Sequence, residues 1–198
     1  MAETLKLLAP SWDELYTLLT ELAKSIRTEY RPEIIIGMAR GGFIPARIIS
    51  DLLDVPTIGT IGVAFYEDIG KRMKKPTITQ ALNIEVKSKR VLVMDDIVDT
   101  GESLAIVVAE IKGRAKEVRT AVIYRKPWAR FIPDFSVRET DAWVVFPWEL
   151  RETVKKIGRK LLDSGKTLPE VENFLTLAGI NERLAWTFLE DLREETHP

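Results

Sequence analysis

The segment Val91–Ser103 constrains the fold of this chain more than any other part of its sequence. It begins with four consecutive apolar residues and continues with Asp95-Asp96, a polar loop and then an apolar pattern with helical spacing. A short apolar run of this kind is typical of a strand buried on both faces of a sheet. The segment therefore predicts a strand–loop–helix unit with two adjacent carboxylates at the carboxyl end of the strand.

The same alternation of apolar runs and helical patterns recurs along the chain. Ile34-Ile35-Ile36 precedes a glycine-containing turn and a helical pattern at Ile44–Leu53, and Val118–Tyr124 is a third buried strand. This order predicts an α/β fold with a mainly parallel sheet flanked by helices. Further predicted strands are Pro56–Phe65, Ile78–Val86, Phe135–Val137 and Trp143–Phe146.

Two regions depart from this core pattern. Tyr66–Lys75 carries four cations and no apolar period, which predicts a mobile surface loop or hairpin tip within a small hood at about residues 60–86. After Pro147-Trp148 the pattern becomes purely helical, with a capping box at Thr167–Glu170 and a candidate cap at Asn181. We therefore expect a main domain over residues 1–150 and a helical C-terminal appendage over residues 151–198.

Composition excludes several classes of protein and site. The 198 residues include 29 basic and 30 acidic ones, and the 45% hydrophobic content is too high for an intrinsically disordered chain. The apolar runs are too short to span a membrane and the start lacks a secretory pattern, so we expect a cytoplasmic protein. The charge richness and scarcity of Asn and Gln are typical of thermophiles.

The absence of cysteine excludes disulfides and thiol catalysis, and the single histidine, His197, makes histidine-based catalysis implausible. Chemistry must therefore use carboxylates, amines, hydroxyls, backbone groups or a bound cation. In open α/β sheets, ligands bind at the carboxyl ends of the strands, and the start of the helix after Ser103 favours a phosphate. The same residues could instead serve only as caps of an ordinary strand-to-helix turn.

The string from Val91 to Ser103 resembles the phosphoribosyl-pyrophosphate motif of the type I phosphoribosyltransferases, including its xanthine-guanine and archaeal purine members. It lacks the Gly-Lys-Ser/Thr ending of a P-loop. Ile34–Gly42 resembles the pyrophosphate loop of that family, and Tyr124–Pro127 and Trp143–Glu149 resemble its base-binding segments. The resemblance covers about residues 11–150.

The resemblance implies a purine salvage enzyme that joins phosphoribosyl pyrophosphate to a purine, releasing a nucleoside monophosphate and pyrophosphate with Mg²⁺ as cofactor. Asp95 and Asp96 would bind the ribose hydroxyls near the metal, and Asp99 would act as general base toward purine N7. The 5′-phosphate would be held by Asp99, Thr100, Gly101, Glu102 and Ser103. Pyrophosphate would be held by Ala39, Arg40 and Gly41, with a non-proline cis peptide as in relatives, and Arg40 would stabilise the leaving charge.

For the base, the resemblance implies that Lys126 donates to a purine 6-oxygen, that Trp143 stacks on the ring and that the Val144 backbone reads its edge. Lys126 and Asp99 favour a 6-oxopurine, namely hypoxanthine, guanine or xanthine. Each residue also has an ordinary structural explanation: a turn for Arg40, a solvated strand end for Lys126 and a core aromatic for Trp143. Because the appendage departs from the bacterial pattern, adenine remains the alternative base.

A second alternative belongs to another functional class. Some proteins of this fold sense phosphoribosyl pyrophosphate and bind nucleic acid, and three short helices could form such a module. However, residues 151–198 carry eight basic and nine acidic residues, whereas a DNA-binding surface is normally basic. We therefore expect no nucleic-acid or membrane partner, and a homodimer or higher homo-oligomer whose helical tail packs across the interface or covers part of the site.

Overall fold

The computed structural model describes residues 6–67 and 74–196, which fall into two compact units. The larger unit is Leu15–Asp141, and the smaller unit joins the two ends of the chain, up to Glu14 and from Ala142 onward. The strands are β1 (Leu7–Leu8), β2 (Ile34–Ala39), β3 (Ile58–Glu67), β4 (Lys74–Gln80), β5 (Arg90–Val98), β6 (Glu117–Arg125), β7 (Phe135–Glu139) and β8 (Trp143–Val144). The α-helices are α1 (Trp12–Glu29), α2 (Phe43–Leu53), α3 (Glu102–Lys112), α4 (Leu150–Asp163), α5 (Leu168–Leu177) and α6 (Glu182–Thr196), with a 3₁₀ turn at Pro147–Glu149.

A six-stranded sheet with the order β4-β3-β2-β5-β6-β7 forms the centre of the larger unit. Every neighbouring pair is parallel except β3 and β4, which are antiparallel. The parallel pairs β2–β3 and β5–β6 are connected by α2 and α3, because parallel pairing requires a crossover connection, whereas β6 continues to its parallel partner β7 without a helix. The predicted α/β fold with a mainly parallel sheet is confirmed, and its C-terminal helices are present.

The core of the larger unit lies on both faces of this sheet. Odd and even residues are both buried along Ile34–Met38 of β2 and Val91–Met94 of β5, as expected for strands covered on both sides. Ile36 and Val93 belong to the cluster that includes Leu104 and Val107 of α3, whereas α2 packs against β2 and β5. This packing holds the neighbouring parallel strands β2 and β5 in place, so their carboxyl ends lie at the same edge of the sheet.

The hood region differs from the prediction in its strand bounds. β3 extends to Glu67, and its antiparallel partner β4 starts at Lys74 and ends at Gln80, so the return strand predicted at Ile78–Val86 is shifted toward the N-terminus. Pro76 lies within β4 opposite Phe65. A proline is tolerated there because β4 is an edge strand, where one backbone N–H is not needed for pairing. The tip of the predicted loop, residues 68–73, lies outside the described residues.

The smaller unit has a hydrophobic core of its own. Buried residues of the three C-terminal helices, such as Val154, Val171 and Leu189, pack with Val145 and with Leu7 from the start of the chain. β1 pairs in parallel with β8, so the strand predicted at Trp143–Phe146 is limited to Trp143–Val144. Among the residues that the structure describes, no helix is long and apolar enough to cross a membrane.

Candidate functional site

Three neighbouring strands of the larger unit carry the predicted polar residues at their carboxyl ends. Arg40 directly follows β2, the Asp95-Asp96 pair lies near the end of β5, and Lys126 directly follows β6. Because β2, β5 and β6 are adjacent and parallel, these ends lie side by side. The structure therefore brings the candidate pyrophosphate, ribose and base residues of this unit to one edge of the sheet.

The loop after β2 packs directly against the acidic pair. The Ala39–Arg40 peptide bond is cis, as the resemblance implied, and Gly42 N donates to Met38 O over 2.8 Å. Gly41 passes so close to Asp96 that a Cβ atom there would lie 2.3 Å from Asp96 Oδ2. A side chain at this position would therefore displace the Asp96 carboxylate.

The two carboxylates are partly or fully withdrawn from solvent. Asp96 is only 7% exposed, and its Oδ1 accepts a hydrogen bond from Ile97 N over 2.8 Å. Asp95 is half-buried and its Oδ1 accepts from Asp96 N. Burial, and then the neighbouring Asp96 charge, raise the pKa of Asp95 well above its ordinary value. A bound cation or a set of hydroxyl donors would relieve this concentration of negative charge.

The segment after β5 lines a cavity at the start of α3. Gly101 has a positive φ of 90°, which favours glycine, and it provides no side-chain cap to the helix. The first-turn N–H groups of a helix have no intrahelical acceptor, so this end of α3 suits an anion. A cavity of about 350 Å³ opens here, lined by Phe65, Asp95, Ile97, Val98, Asp99, Thr100, Gly101, Glu102, Ser103 and Leu104.

Lys126 is buried beside two acidic side chains. Its exposure is 7%, and its backbone N–H donates to Val98 O over 2.9 Å, which ties it to the segment before Asp99. Burial lowers the pKa of Lys126, while the charges of Asp99 and Asp141 act in the opposite direction. The two carboxylates favour the ammonium form, which is the form that can donate to a ligand oxygen.

Sequence reasoning missed two residues beside Lys126. Asp141 contributes to its electrostatic environment, and the indole of Trp128 lies 5.4 Å from the Lys126 ammonium. Trp128 Nε1 also donates to Asp99 Oδ1 over 2.6 Å. The only available signal was that Trp128 stands two residues after Lys126 in a turn that follows a buried strand.

Trp143 and Val144 belong to the smaller unit. Trp143 is 45% exposed, with the Lys156 ammonium 5.2 Å from its ring centroid, and Val144 is buried in the pairing with Leu8. The exposure of Trp143 is inconsistent with the core-aromatic alternative. The structure therefore distributes the predicted base-binding residues between its two units.

Comparison with known proteins identifies the family. Residues 11–154 match the phosphoribosyl transferase domain. The chain belongs to the phosphoribosyltransferase family. This phosphoribosyltransferase is similar to the xanthine-guanine phosphoribosyltransferase of Desulfotalea psychrophila (strain LSv54 / DSM 12343), with 32% identity over 141 residues that cover 70% of this chain and 84% of the relative. The corresponding protein of Cereibacter sphaeroides (strain ATCC 17025 / ATH 2.4.3) is 32% identical over 120 residues, covering 59% of this chain and 68% of the relative.

A solved structure extends the comparison. The purine phosphoribosyltransferase from Pyrococcus horikoshii Ot3 is 40% identical and superposes with a TM-score of 0.66, covering 73% of this phosphoribosyltransferase and 94% of that chain. The resemblance seen in the motifs is thus confirmed, and the chain is an enzyme of phosphoribosyl transfer. The family match ends within α4, so most of the C-terminal helical region lies beyond it.

Proposed function

We propose that this enzyme transfers the 5-phosphoribosyl group from phosphoribosyl pyrophosphate to a 6-oxopurine, in the salvage of purine bases in the cytoplasm. The products are a nucleoside monophosphate and pyrophosphate. One observation carries the proposal: Asp95-Asp96, the start of α3 and the buried Lys126 all lie at one edge of the sheet. The names of the relatives, which act on xanthine and guanine or on purines, agree with it.

Each part of phosphoribosyl pyrophosphate has a chemically matched partner in this proposal. Asp95 and Asp96 accept hydrogen bonds from the ribose hydroxyls. The 5′-phosphate lies against the start of α3, where N–H groups and hydroxyls can donate to it. Pyrophosphate is held by Ala39–Gly41. The residues assigned to the 5′-phosphate are Asp99, Thr100, Gly101, Glu102 and Ser103.

The acidic pair also fits a magnesium ion held together with the substrate. Among the described residues there is no group of three or more acidic, histidine or cysteine side chains arranged to hold a metal. Mg²⁺ commonly binds one or two carboxylates and completes its octahedron with substrate phosphates and water, so Asp95 and Asp96 suffice. When bound, the ion would supply positive charge that favours departure of pyrophosphate.

The reaction builds positive charge at the anomeric carbon while negative charge develops on pyrophosphate. Arg40 directly follows β2 and precedes Gly41, which packs on Asp96, so its guanidinium would stabilise the leaving charge. Asp99 accepts the proton from purine N7 as the new bond to the ribose forms. None of these steps requires histidine or cysteine, in agreement with the composition.

The base preference rests on the chemistry of Lys126. Its ammonium is a donor with no acceptor capacity, so it complements a 6-oxo group and opposes the 6-amino group of adenine. Trp143 offers an exposed ring face for stacking, and the backbone of Val144 would read the base edge. This pairing of donor and acceptor is the reason for preferring hypoxanthine, guanine or xanthine.

The charges on the smaller unit do not favour the alternative that this protein is a regulator that binds nucleic acid. The groove of this unit, of about 1020 Å³, is lined by five cations of α4 and by Glu149, Glu152 and Asp163, so the positive charge there is partly neutralised. Nucleic-acid surfaces are normally dominated by positive charge. We propose instead that the helices support a homodimer or a higher homo-oligomer.

The test is to mix the protein with phosphoribosyl pyrophosphate, Mg²⁺ and one base at a time, and to follow nucleotide formation by absorbance. We expect turnover with at least one 6-oxopurine and a loss of at least a hundredfold for Asp99→Asn, because general-base catalysis typically contributes that much. Absence of turnover with hypoxanthine, guanine, xanthine and adenine would overturn the proposal. Turnover of adenine alone would retain the phosphate chemistry and overturn the base assignment.

A further inference from the structure

The indole of Trp128 makes a contact that the proposed reaction does not require. Its Nε1 donates a hydrogen bond to Asp99 Oδ1 over 2.6 Å. Trp128 is 53% exposed, so burial of the ring does not by itself explain its position. The hydrogen bond instead links an exposed tryptophan to the proposed general base.

The backbone around Trp128 is fixed to the same segment that carries Asp99. Lys126 N donates to Val98 O over 2.9 Å, and Arg130 N donates to Thr100 O over 3.0 Å. The turn that contains Trp128 is thus bound to the residues immediately before and after Asp99. The indole N–H adds a hydrogen bond to the side chain of Asp99 itself.

The face of the same indole contacts the second polar group of the proposed base site. The Lys126 ammonium lies 5.4 Å from the ring centroid, within the range of a cation–π interaction. One side chain therefore touches Asp99 through its edge and Lys126 through its face.

We propose that Trp128 is a positioning residue that orients Asp99 for proton transfer from the base. This inference rests on the proposed function. The indole engages Oδ1, so Oδ2 is the oxygen presented to the purine. Asp99 is exposed and would otherwise rotate about two side-chain torsions, and fixing a catalytic group in its productive orientation is a large contribution to rate.

Trp128→Phe tests this role because it removes the N–H and keeps an aromatic ring beside Lys126. We expect kcat with the best base to fall about tenfold, with KM for phosphoribosyl pyrophosphate unchanged, because the lost hydrogen bond to a charged group acts on the chemical step. Trp186→Phe, which alters a comparably exposed tryptophan on α6, is the matched control and should leave both constants unchanged.

A double-mutant cycle separates positioning from a structural effect. If Trp128 acts through Asp99, then Trp128→Phe should cause no further loss in an Asp99→Asn background. An equal loss in both backgrounds, or wild-type kcat in Trp128→Phe, would overturn the inference. Thermal unfolding of each variant should show the same midpoint as the wild type, and a lowered midpoint that accounts for the loss of activity would also contradict the role.

A measurement without turnover distinguishes failure of this inference from failure of the proposed function. In protein labelled with ¹⁵N-tryptophan, the Trp128 indole signal is identified by its absence in Trp128→Phe. We expect a strongly downfield indole proton that moves upfield in Asp99→Asn, while the other indole signals stay in place. An unchanged signal would overturn the inference whatever the base panel shows, whereas a shifted signal in a protein that turns over no base would show the contact between Trp128 and Asp99 and would overturn the proposed function on which its catalytic role rests.

Discussion

At the scale of single residues, the protonation of Lys126 links the site geometry to pH. Burial lowers the pKa of Lys126, whereas the charges of Asp99 and Asp141 raise it. If the ammonium is the form that donates to the base, activity falls as pH rises through this pKa. Removing the Asp141 charge should lower the pKa further and move the loss of activity to lower pH.

The measurement is the pH profile of kcat/KM for a 6-oxopurine in the wild type and in Asp141→Asn. We expect the alkaline limb of the variant to lie at lower pH. Lys126→Arg serves as the comparison, because an arginine stays charged throughout and its profile should lack the limb. An alkaline limb at the same pH in the wild type and both variants would contradict this role of Lys126.

Gly41 gives a second prediction at this scale. Gly41→Ala places a Cβ within 2.3 Å of Asp96 Oδ2, so the carboxylate has to move. We expect a loss of at least tenfold in kcat/KM for phosphoribosyl pyrophosphate, because displaced catalytic groups lose rate steeply. Gly113→Ala is the matched control, since nothing lies within 4 Å of its Cβ and its φ is −72°. Equal activity of the two variants would contradict the close packing of Gly41 on Asp96.

The site residues that could be predicted are those encoded in contiguous strings. The acidic pair and the phosphate loop form one segment, so a local pattern was sufficient to find them. Trp128 and Asp141 could not be found in this way. Their relevance depends on the path of the turn after β6 and on how far an indole reaches toward another loop, which no local pattern encodes.

At the scale of elements, the capping box of α5 gives a stability prediction. Thr167 N and Oγ1 both donate to Glu170 Oε2 over 2.8 Å. Thr167→Ala should reduce the free energy of unfolding by about 1 kcal/mol, measured by chemical denaturation. Thr176→Ala is the control on the same helix, because that hydroxyl only donates to the Glu172 carbonyl within the helix. A cost for Thr176→Ala as large as that for Thr167→Ala would contradict the capping role.

The contribution of the Thr167–Glu170 capping box to the free energy of unfolding also depends on pH. The Thr167 backbone N–H, followed by its hydroxyl and Lys166, lowers the pKa of Glu170. A carboxylate with a lowered folded-state pKa stabilises the fold above its unfolded pKa, and this contribution disappears as pH falls through the folded-state pKa. The difference in unfolding midpoint between the wild type and Glu170→Ala should therefore shrink as the pH is lowered. A constant difference would contradict this.

Elements fixed by local chemistry were predictable, and elements fixed by pairing were not. The capping box at Thr167 is read directly from four residues, and α5 begins where the box predicts. The return strand of the hood was placed too far toward the C-terminus because its bounds are set by pairing with β3. Pro76, directly after the predicted loop Tyr66–Lys75, lies within this edge strand and not at its start.

At the scale of the whole molecule, the core of the smaller unit accounts for the stability of the C-terminal helices. Leu175 of α5 is fully buried in this core, so Leu175→Ala should reduce the free energy of unfolding by about 2–5 kcal/mol, measured by denaturant titration. Leu177→Ala on the same helix removes an 80% exposed side chain and should change it by less than about 0.5 kcal/mol. Similar losses of unfolding free energy in Leu175→Ala and Leu177→Ala would contradict the burial of Leu175 in this core.

This unit also shows the limit of sequence reasoning. Its helices were predicted from their periodicity, but the contribution of the N-terminus was not. Leu7-Leu8 pairs with Trp143-Val144, and Leu7 and Ala9 pack against the helical core. A two-residue strand has no periodicity of its own, and its partner is more than a hundred residues away along the chain.

A competition between two bases for limiting phosphoribosyl pyrophosphate measures the proposed preference for a 6-oxopurine. Equimolar hypoxanthine and adenine are incubated with the enzyme and Mg²⁺, and the two nucleotide products are separated and quantified by chromatography. We expect the hypoxanthine product to dominate, and we expect Lys126→Gln to lower the ratio of hypoxanthine product to adenine product, because an amide can both donate and accept. A dominant adenine product in the wild type, or a ratio unchanged by Lys126→Gln, would contradict it.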